Sequence, residues 1–462
     1  MRIKPEEYRV EEPPVLMPYQ EDGVRFLLQC TSALLHWDQG AGKTYPAAQA
    51  AGEVIEDGVC IWIAPRVTCL NAKREIEAVH GSRYTVKVIE KSSDRLTGAA
   101  FYILSYDLVN RDNVYEQLME LSIDGLVLDE SQYLKNNNSK RTRRILGHNG
   151  LASRARRVWG LSGTPCPNHI GEIYPWIASR HPEVIAMPSG QPMNYYRFID
   201  AFCHVVETPF GNRIVGSNVK AGEQLWDALR DVVSTIRKED VLHDLPECRF
   251  AQVEVAGDKT AREVRALEAK HREELEAVAA GVQGSDAADM HLTTVRRSTE
   301  MSKVGDAIGF VRDELAHGGL QKIVIFANFI DTIDALLEGL SEFGALGIHG
   351  SVTPKKRQEA IDAFQSSGDV RVIVGQTIAA GTGITLHAHG ACQDVLFIGA
   401  DWVPANNAQA VARVHRKGQR NAVTARFLHL SNSIDEAIQK TLMHKSRQIN
   451  TIYGKEVQHH AA

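Results

Sequence analysis

Twice along this chain, short apolar runs alternate with amphipathic stretches, and that alternation restricts the fold more than any other feature. In the first 185 residues the runs are VCIWIAP (59–65), AFYILSY (100–106), GLVLDE (125–130) and RVWGLSGTP (157–165). They are short, rich in β-branched and aromatic residues, and often end in polar, glycine or proline residues. Such runs predict strands buried on both faces of a parallel sheet. The stretches between them, such as NAKREIEAVH (71–80), predict the crossover helices that a parallel sheet requires. After residue 300 the pattern returns in KIVIFANF (322–329), LGIHG (346–350), VRVIVGQ (370–376), ACQDVLFIG (391–399) and TARFLHL (424–430). The expected fold class is therefore α/β, with two units of similar design, each a mostly parallel sheet with helices on both faces.

Composition narrows the function. With 44% hydrophobic and 24% charged residues, the chain is neither disordered nor fibrous. No run of apolar residues is long enough for a membrane-spanning helix, and the opening MRIKPEEYRVEEPPV lacks a signal-peptide core. A formal net charge of −5 excludes a uniformly basic coat, so any nucleic-acid contact must come from a local groove. The 7 cysteines form no C-x-x-C pair, which predicts reduced thiols in a cytosolic protein and gives no support to a disulfide framework or zinc site.

The first unit is expected to cover residues 1–240 and the second 241–462. Residues 186–225 carry the turn signals MPSGQPMNYY and TPFGNRIVGSN and predict a loop-rich protrusion reaching about 235. Residues 261–282 predict a charged helix on which Val264, Leu267, His271, Leu275 and Val278 share a narrow stripe. That helix belongs to a second protrusion, about 258–300, either a surface feature or a contact for DNA or a protein partner.

Three constellations carry chemistry. DQGAGKT (38–44) is a glycine-rich turn ahead of a helix, where exposed backbone N–H groups and the helix dipole favour phosphate. Gly40 and Gly42 supply the backbone freedom, Lys43 reaches the terminal phosphates, and Thr44 can give its hydroxyl to Mg²⁺. The strict pattern wants glycine at position 37, where this chain has Trp37. GLVLDESQ then places Asp129 and Glu130 at the end of an apolar strand, the sheet edge where ligands bind. Asp129 can hold Mg²⁺ and Glu130 can activate a water. Taken alone, the pair is equally a solvated strand end. Finally, AQAVARVHRKGQ (408–419) predicts a helix presenting Arg413 and Arg416 on one side, a spacing suited to phosphate or to an ordinary basic surface.

In order, these blocks resemble the Swi/Snf-related ATPases of helicase superfamily two, over about residues 20–445. The matching blocks are MPYQEDGVRFLL, DQGAGKT, IWIAPRVTCLNAKREIE, ILSYDLV, DESQYLKN, LSGTPCPN, HGSVTPKKRQEAIDAF, QTIAAGTGITL and DWVPANNAQAVARVHRKGQ. The acidic box has Gln132 where many relatives have histidine. VRRSTEMSKVGDAIGFV (295–311) resembles the branch that includes annealing helicases.

The resemblance implies two RecA-like lobes with a helical insertion between them, and ATP with Mg²⁺ bridging the lobes. Lobe one would supply Gln20 for adenine, Lys43, Thr44, Asp129 and Glu130; lobe two would supply Arg413 and Arg416. Gln132, Ser162 and Thr164 would couple hydrolysis to closure, and Gly381 and Gly383 would form the matching element of lobe two. The implied activity is an ATP-dependent duplex-DNA translocase or remodeller. A strand-separating DNA or RNA helicase and a non-catalytic nucleotide-gated adaptor are the alternatives.

On the same resemblance, the track is DNA, double-stranded first, with forked or single-stranded DNA as variants. The phosphate contacts would be Arg66, Thr68, Ser105, Tyr106, Lys135, Lys140, Arg141, Arg143, Arg144, Lys355, Lys356 and Arg357. Trp402 reads as packing between lobes or as a base-stacking surface. A monomer is expected, and its lack of a visible accessory domain suits a bacterial or phage protein; in a eukaryote it would be nuclear.

Overall fold

A computed structural model of the protein describes residues 15–208, 211–258, 260–270, 286–380 and 384–454. Strands β1 (Ser32–Trp37), β2 (Val59–Ala64), β3 (Val86–Ile89), β4 (Phe101–Ser105), β5 (Ile123–Asp129) and β6 (Ala155–Ser162) come first. A hairpin of β7 (Cys203–Thr208) and β8 (Gly211–Ser217) follows, then β9 (Val233–Ile236) and β10 (Cys248–Val255). The last five are β11 (Lys322–Ala327), β12 (Leu346–Ile348), β13 (Val372–Gln376), β14 (Cys392–Phe397) and β15 (Val423–Leu430).

The chain divides into two compact units. One holds the residues through Pro165 with Pro175–Ile185 and Leu229–Val241; the other holds Cys166–Tyr174, Ala186–Ala228 and everything from Leu242 onward.

The first unit is built on the sheet β3-β4-β2-β5-β6-β1-β9, with its ladders parallel. Both sides of its strands are covered. Ala33, Leu35, Trp37, Cys60, Trp62 and Ala64 share one core with Val24, Leu27, Ala72 and Ile76 of flanking helices. Leu34, Ile61, Ile63, Leu126 and Leu128, which alternate with them, are buried as well. Continuous apolarity in the sequence is thus the consequence of two covered faces. The helix Thr44–Glu53 contributes Ala47, Ala48, Ala50 and Ala51, all fully buried, so its backbone lies close to the sheet. Because β5, β6 and β1 are consecutive neighbours, the segments leaving their C-terminal ends at Asp129, Ser162 and Trp37 lie side by side.

The second unit repeats the design in the parallel sheet β10-β15-β14-β11-β13-β12. Val324, Phe326, Ile373, Val395 and Phe397 pack on one side with Phe364 and Val414. Ile323, Ile325, Val372, Val374 and Leu396 pack on the other with Val311, Leu315, Ile333 and Leu336.

The connecting region departs from expectation. Residues 186–228 are not loop-like throughout but contain the helix Tyr195–Phe202, the antiparallel hairpin and the helix Val219–Ala228. Nor do they cluster with the first unit, because the C-terminal helix Ile434–Ile452 and the residue after it hold them. Trp226 packs on Tyr453 with ring centroids 4.4 Å apart, and Ser217 N–H donates to Gln448 Oε1 at 3.1 Å. A single boundary at residue 240 misses this return of the chain. Of the charged-helix stripe, Val264 is buried on the helix Thr260–Lys270. The Leu267 side chain and residues His271, Leu275 and Val278 lie outside the described part. Among the described residues no helix is long and apolar enough to cross a membrane. The cysteines are free thiols.

Candidate nucleotide and nucleic-acid site

In the first unit the phosphate loop leaves β1, turns through Gly40 (φ 87°) and Gly42 (φ 72°), and enters the helix Thr44–Glu53. Both glycines adopt a backbone that side chains disfavour. Gln20 lies directly against the loop. Its Nε2 donates to the Gly42 carbonyl at 3.0 Å, and its Oε1 accepts from the Met17 N–H at 3.0 Å. The other side of the amide is therefore anchored, and its place beside the loop suits the adenine role given to it by resemblance. Tyr19, which sequence reasoning missed, donates its hydroxyl to the Ala41 carbonyl at 3.0 Å.

Trp37 explains the departure from the strict loop pattern. Its indole is buried, lies tilted at 60° to the Tyr19 ring with centroids 5.6 Å apart, and donates Nε1–H to Ser234 Oγ at 3.0 Å. The ring packs away from the loop, so Gly40 and Gly42 carry the turn without a glycine at 37.

The Lys43 ammonium donates to the carbonyls of Trp37 at 2.9 Å and Asp38 at 3.2 Å. Gln39, on the loop, has a buried Nε2 without a hydrogen-bond partner among the described residues. A buried orphan donor is costly unless something accepts from it, and an anion on the loop would do so. Across from the loop, burial and then the neighbouring Glu130 charge hold the Asp129 carboxyl above the usual carboxylate range, with Lys43 opposing. A divalent cation there would favour its ionised form. Mg²⁺ commonly takes one or two protein oxygens, phosphate and water, so Asp129 and the Thr44 hydroxyl are a fitting donor set.

Glu130 sits in the left-handed backbone region, φ 53° and ψ 54°. Its Oε2 accepts from Gln132 Nε2 at 2.7 Å, Gln132 Oε1 accepts from Ser162 Oγ at 2.6 Å, and Ser162 Oγ accepts from Thr164 N–H at 3.0 Å. The expected coupling residues are thus joined in one hydrogen-bonded chain between the ends of β5 and β6.

In the second unit the arginine pair is not on a helix. The helix Pro404–Val411 ends before it, and Arg413 and Arg416 lie on the turns that follow. They converge all the same, through the carbonyl of Ile384, which accepts from Arg413 Nη1 at 3.5 Å and Arg416 Nη1 at 3.1 Å. Arg413 Nε also donates to Gln409 O at 3.0 Å. Gly381 and Gly383 lie outside the described residues. Trp402 packs within this unit, against the cluster of Leu292, Val295, Ile434 and Ile438, with the Arg296 guanidinium 5.3 Å from its ring. The Trp402 ring is half-buried there.

The nucleic-acid candidates divide by burial. Thr68 is buried and donates its hydroxyl to Pro65 O at 2.9 Å. Ser105 is buried and caps the short helix Tyr106–Val109 by accepting from Leu108 N–H. Tyr106 is 1% exposed and donates its hydroxyl to the Asp129 carbonyl at 2.8 Å. These three hold the fold at the strand ends and do not present themselves to phosphate, because their polar atoms are satisfied locally. Lys140 and Arg144 share Asp112, and Arg357 donates to His349 O at 3.3 Å. Arg66, Lys355 and Lys356 are exposed and Lys135 is half-buried. Among the described residues Arg66, Arg141 and Arg143 pair with no carboxylate.

Comparison with known proteins decides the family. The SNF2-related domain model matches residues 19–298, and the Helicase conserved C-terminal domain model matches 306–418. The chain belongs to the SNF2-related family. Relatives include the SWI/SNF-related matrix-associated actin-dependent regulator of chromatin subfamily A-like protein 1 of Xenopus tropicalis. It is 27% identical over 439 residues, spanning 93% of this chain and 44% of that protein. The DNA annealing helicase and endonuclease ZRANB3 of Homo sapiens is 26% identical over 457 residues, spanning 96% of this chain and 41% of that protein. The chain thus spans less than half the length of these two relatives. A Sulfolobus solfataricus SWI2/SNF2 ATPase core in complex with dsDNA is 19% identical over 97% of this chain and 100% of that one. Its TM-score of 0.42 is too low to bear on the fold. Together the two models cover residues 19–418 apart from 299–305, and so most of both parallel sheets.

Proposed function

We propose that this chain hydrolyses ATP to ADP and phosphate in response to duplex DNA and uses the turnover to track along the duplex backbone. One observation carries the reading: the hydrogen-bonded chain Glu130–Gln132–Ser162–Thr164, which ties the water-activating carboxylate to the loop after β6. An adaptor that only holds nucleotide has no use for such a link.

The residues divide the work. Gln20 orients the base and the Gly40–Gly42 backbone cradles phosphate. Lys43 exchanges its loop carbonyls for phosphate oxygens. Thr44 and Asp129 would hold Mg²⁺, which would neutralise charge on the phosphates. Glu130, released by Gln132, orients and deprotonates the attacking water. Arg413 and Arg416 of the second unit stabilise charge on the transferring phosphoryl group, an effect of roughly 10³–10⁵ in rate. Nucleotide moves the two units only through unequal affinity for their arrangements. Arg66, Lys135, Arg141, Arg143, Lys355 and Lys356 grip DNA phosphates, so binding is indifferent to sequence and sensitive to salt.

The test is ATPase turnover with single-stranded, double-stranded and forked DNA at two salt concentrations. Duplex should raise turnover, and the DNA concentration giving half-stimulation should rise with salt. Turnover indifferent to duplex refutes the proposal. Release of a strand from the fork would make the motor a strand-separating helicase.

A further inference from the structure

The Tyr106 and Tyr133 rings lie stacked in the first unit with centroids 5.2 Å apart and planes 10° from parallel. Tyr106 is buried and its hydroxyl holds the backbone carbonyl of Asp129. Tyr133 is 36% exposed, and its N–H donates to the Glu130 carbonyl at 3.0 Å. The Arg141 guanidinium lies 5.9 Å from the Tyr133 ring centroid. Arg141 has no carboxylate partner among the described residues and stands in the basic run KRTRR (140–144). One contiguous path therefore leads from a half-buried cation, through two stacked rings, to the backbone that carries Asp129 and Glu130.

We propose that Tyr133 and Tyr106 are positioning residues that transmit nucleic-acid engagement at Arg141 to the acidic strand end. This rests on the duplex-dependent ATPase reading above. An arginine over an aromatic face is held weakly when the site is solvent-exposed, and a phosphate is the stronger partner. DNA that draws Arg141 off the ring changes what holds Tyr133. Tyr133 is bonded to Glu130 and stacked on the residue that fixes Asp129. Glu130 is the point in this strand end able to respond, because its left-handed backbone is a strained state kept only by surrounding contacts. The path needs no change in the sheet, since Tyr106 reaches Asp129 from the end of β4, two strands away from β5 in the sheet order.

The experiment measures the ratio of duplex-stimulated to basal turnover, with KM for ATP and the melting temperature, in Tyr106→Phe, Tyr133→Leu, Tyr133→Phe and Arg141→Gln. Tyr106→Phe keeps the ring and loses the hydroxyl; its ratio should fall roughly three- to ten-fold, the effect of one uncharged hydrogen bond. Tyr133→Leu should fall similarly, Tyr133→Phe should retain the wild-type ratio, and Arg141→Gln should lower it even at saturating DNA. Wild-type ratios in Tyr106→Phe and Tyr133→Leu overturn the relay, as does a Tyr133→Phe as impaired as Tyr133→Leu. Loss of melting temperature with an unaltered ratio also overturns it, since the rings would then be structural only. A wild-type protein that duplex does not stimulate sinks the underlying ATPase reading instead, so the two failures are distinguishable.

Discussion

Gln132 donates its amide N–H to the Glu130 carboxylate at 2.7 Å, across a turn in which Glu130 has φ 53°. The left-handed backbone costs a residue with a side chain about 1 kcal/mol or more, so this geometry persists because neighbours enforce it. The carboxylate is tied to β6 through Gln132 and Ser162.

Removing that hold should uncouple the site without emptying it. In Gln132→Ala, duplex-stimulated turnover should fall roughly ten-fold, as expected for a lost hydrogen bond to a charged group, while KM for ATP stays near wild type. Steady-state kinetics at saturating DNA check this. A rise in KM with full turnover would place Gln132 in nucleotide binding instead.

The Trp37 ring dictates glycine at position 23. A Cβ on Gly23 would meet Trp37 Cη2 at 2.5 Å and Cζ2 at 2.7 Å. Gly23→Ala should therefore push the helix Pro18–Gln29 off the sheet and destabilise the protein by about 1–3 kcal/mol, the usual cost of overpacking. Gln20 rides on that helix, so KM for ATP should rise as well. Denaturant unfolding and ATPase kinetics test both effects, and adding Trp37→Phe should restore part of each.

Glu300 in the second unit sets a pH dependence. Its carboxylate accepts from Asn328 N–H, Asn328 Nδ2 and Phe329 N–H, yet burial pushes its pKa up to about 7 from the ordinary 4.5. The unfolded chain loses this proton near 4.5 and the folded chain keeps it to about 7. The native state then binds more protons in that window, so the contribution of Glu300 to stability falls as pH rises through it and is constant above it. Relative to wild type, Glu300→Gln should gain about 3 kcal/mol between pH 4.5 and 7.5. Denaturant unfolding of both proteins across that range gives the difference; a flat difference would show that Glu300 titrates normally.

The parallel strands were legible because burial on both faces fills their middles with apolar residues, as in VCIWIAP and the IVIFA of β11. The hairpin β7–β8 was not. Its strands mix polar and apolar residues, and the turn signals around it resemble those of a plain loop. The glycine-rich loop precedes a helix and the acidic pair stands at the end of a strand, as the glycine and carboxylate spacing predicts. Side-chain direction was beyond the pattern: Tyr106 stands in a block expected to face DNA, yet its hydroxyl turns inward to Asp129. Arg413 and Arg416 share an acceptor at Ile384, but through turns, because the helix at Pro404 stops at Val411. Trp402 looked available only because its partners on Asp286–Ser302 and Ile434–Ile452 are distant in sequence.

Hydrolysis completed by a residue of the second unit is tested most directly by Arg416→Ala, with turnover at saturating duplex DNA and ATP affinity measured on the same protein. Turnover should drop roughly 10³-fold while ATP affinity changes little, because the guanidinium acts on charge that develops during transfer. Turnover near wild type, or a loss matched by an equal loss of ATP affinity, would contradict it.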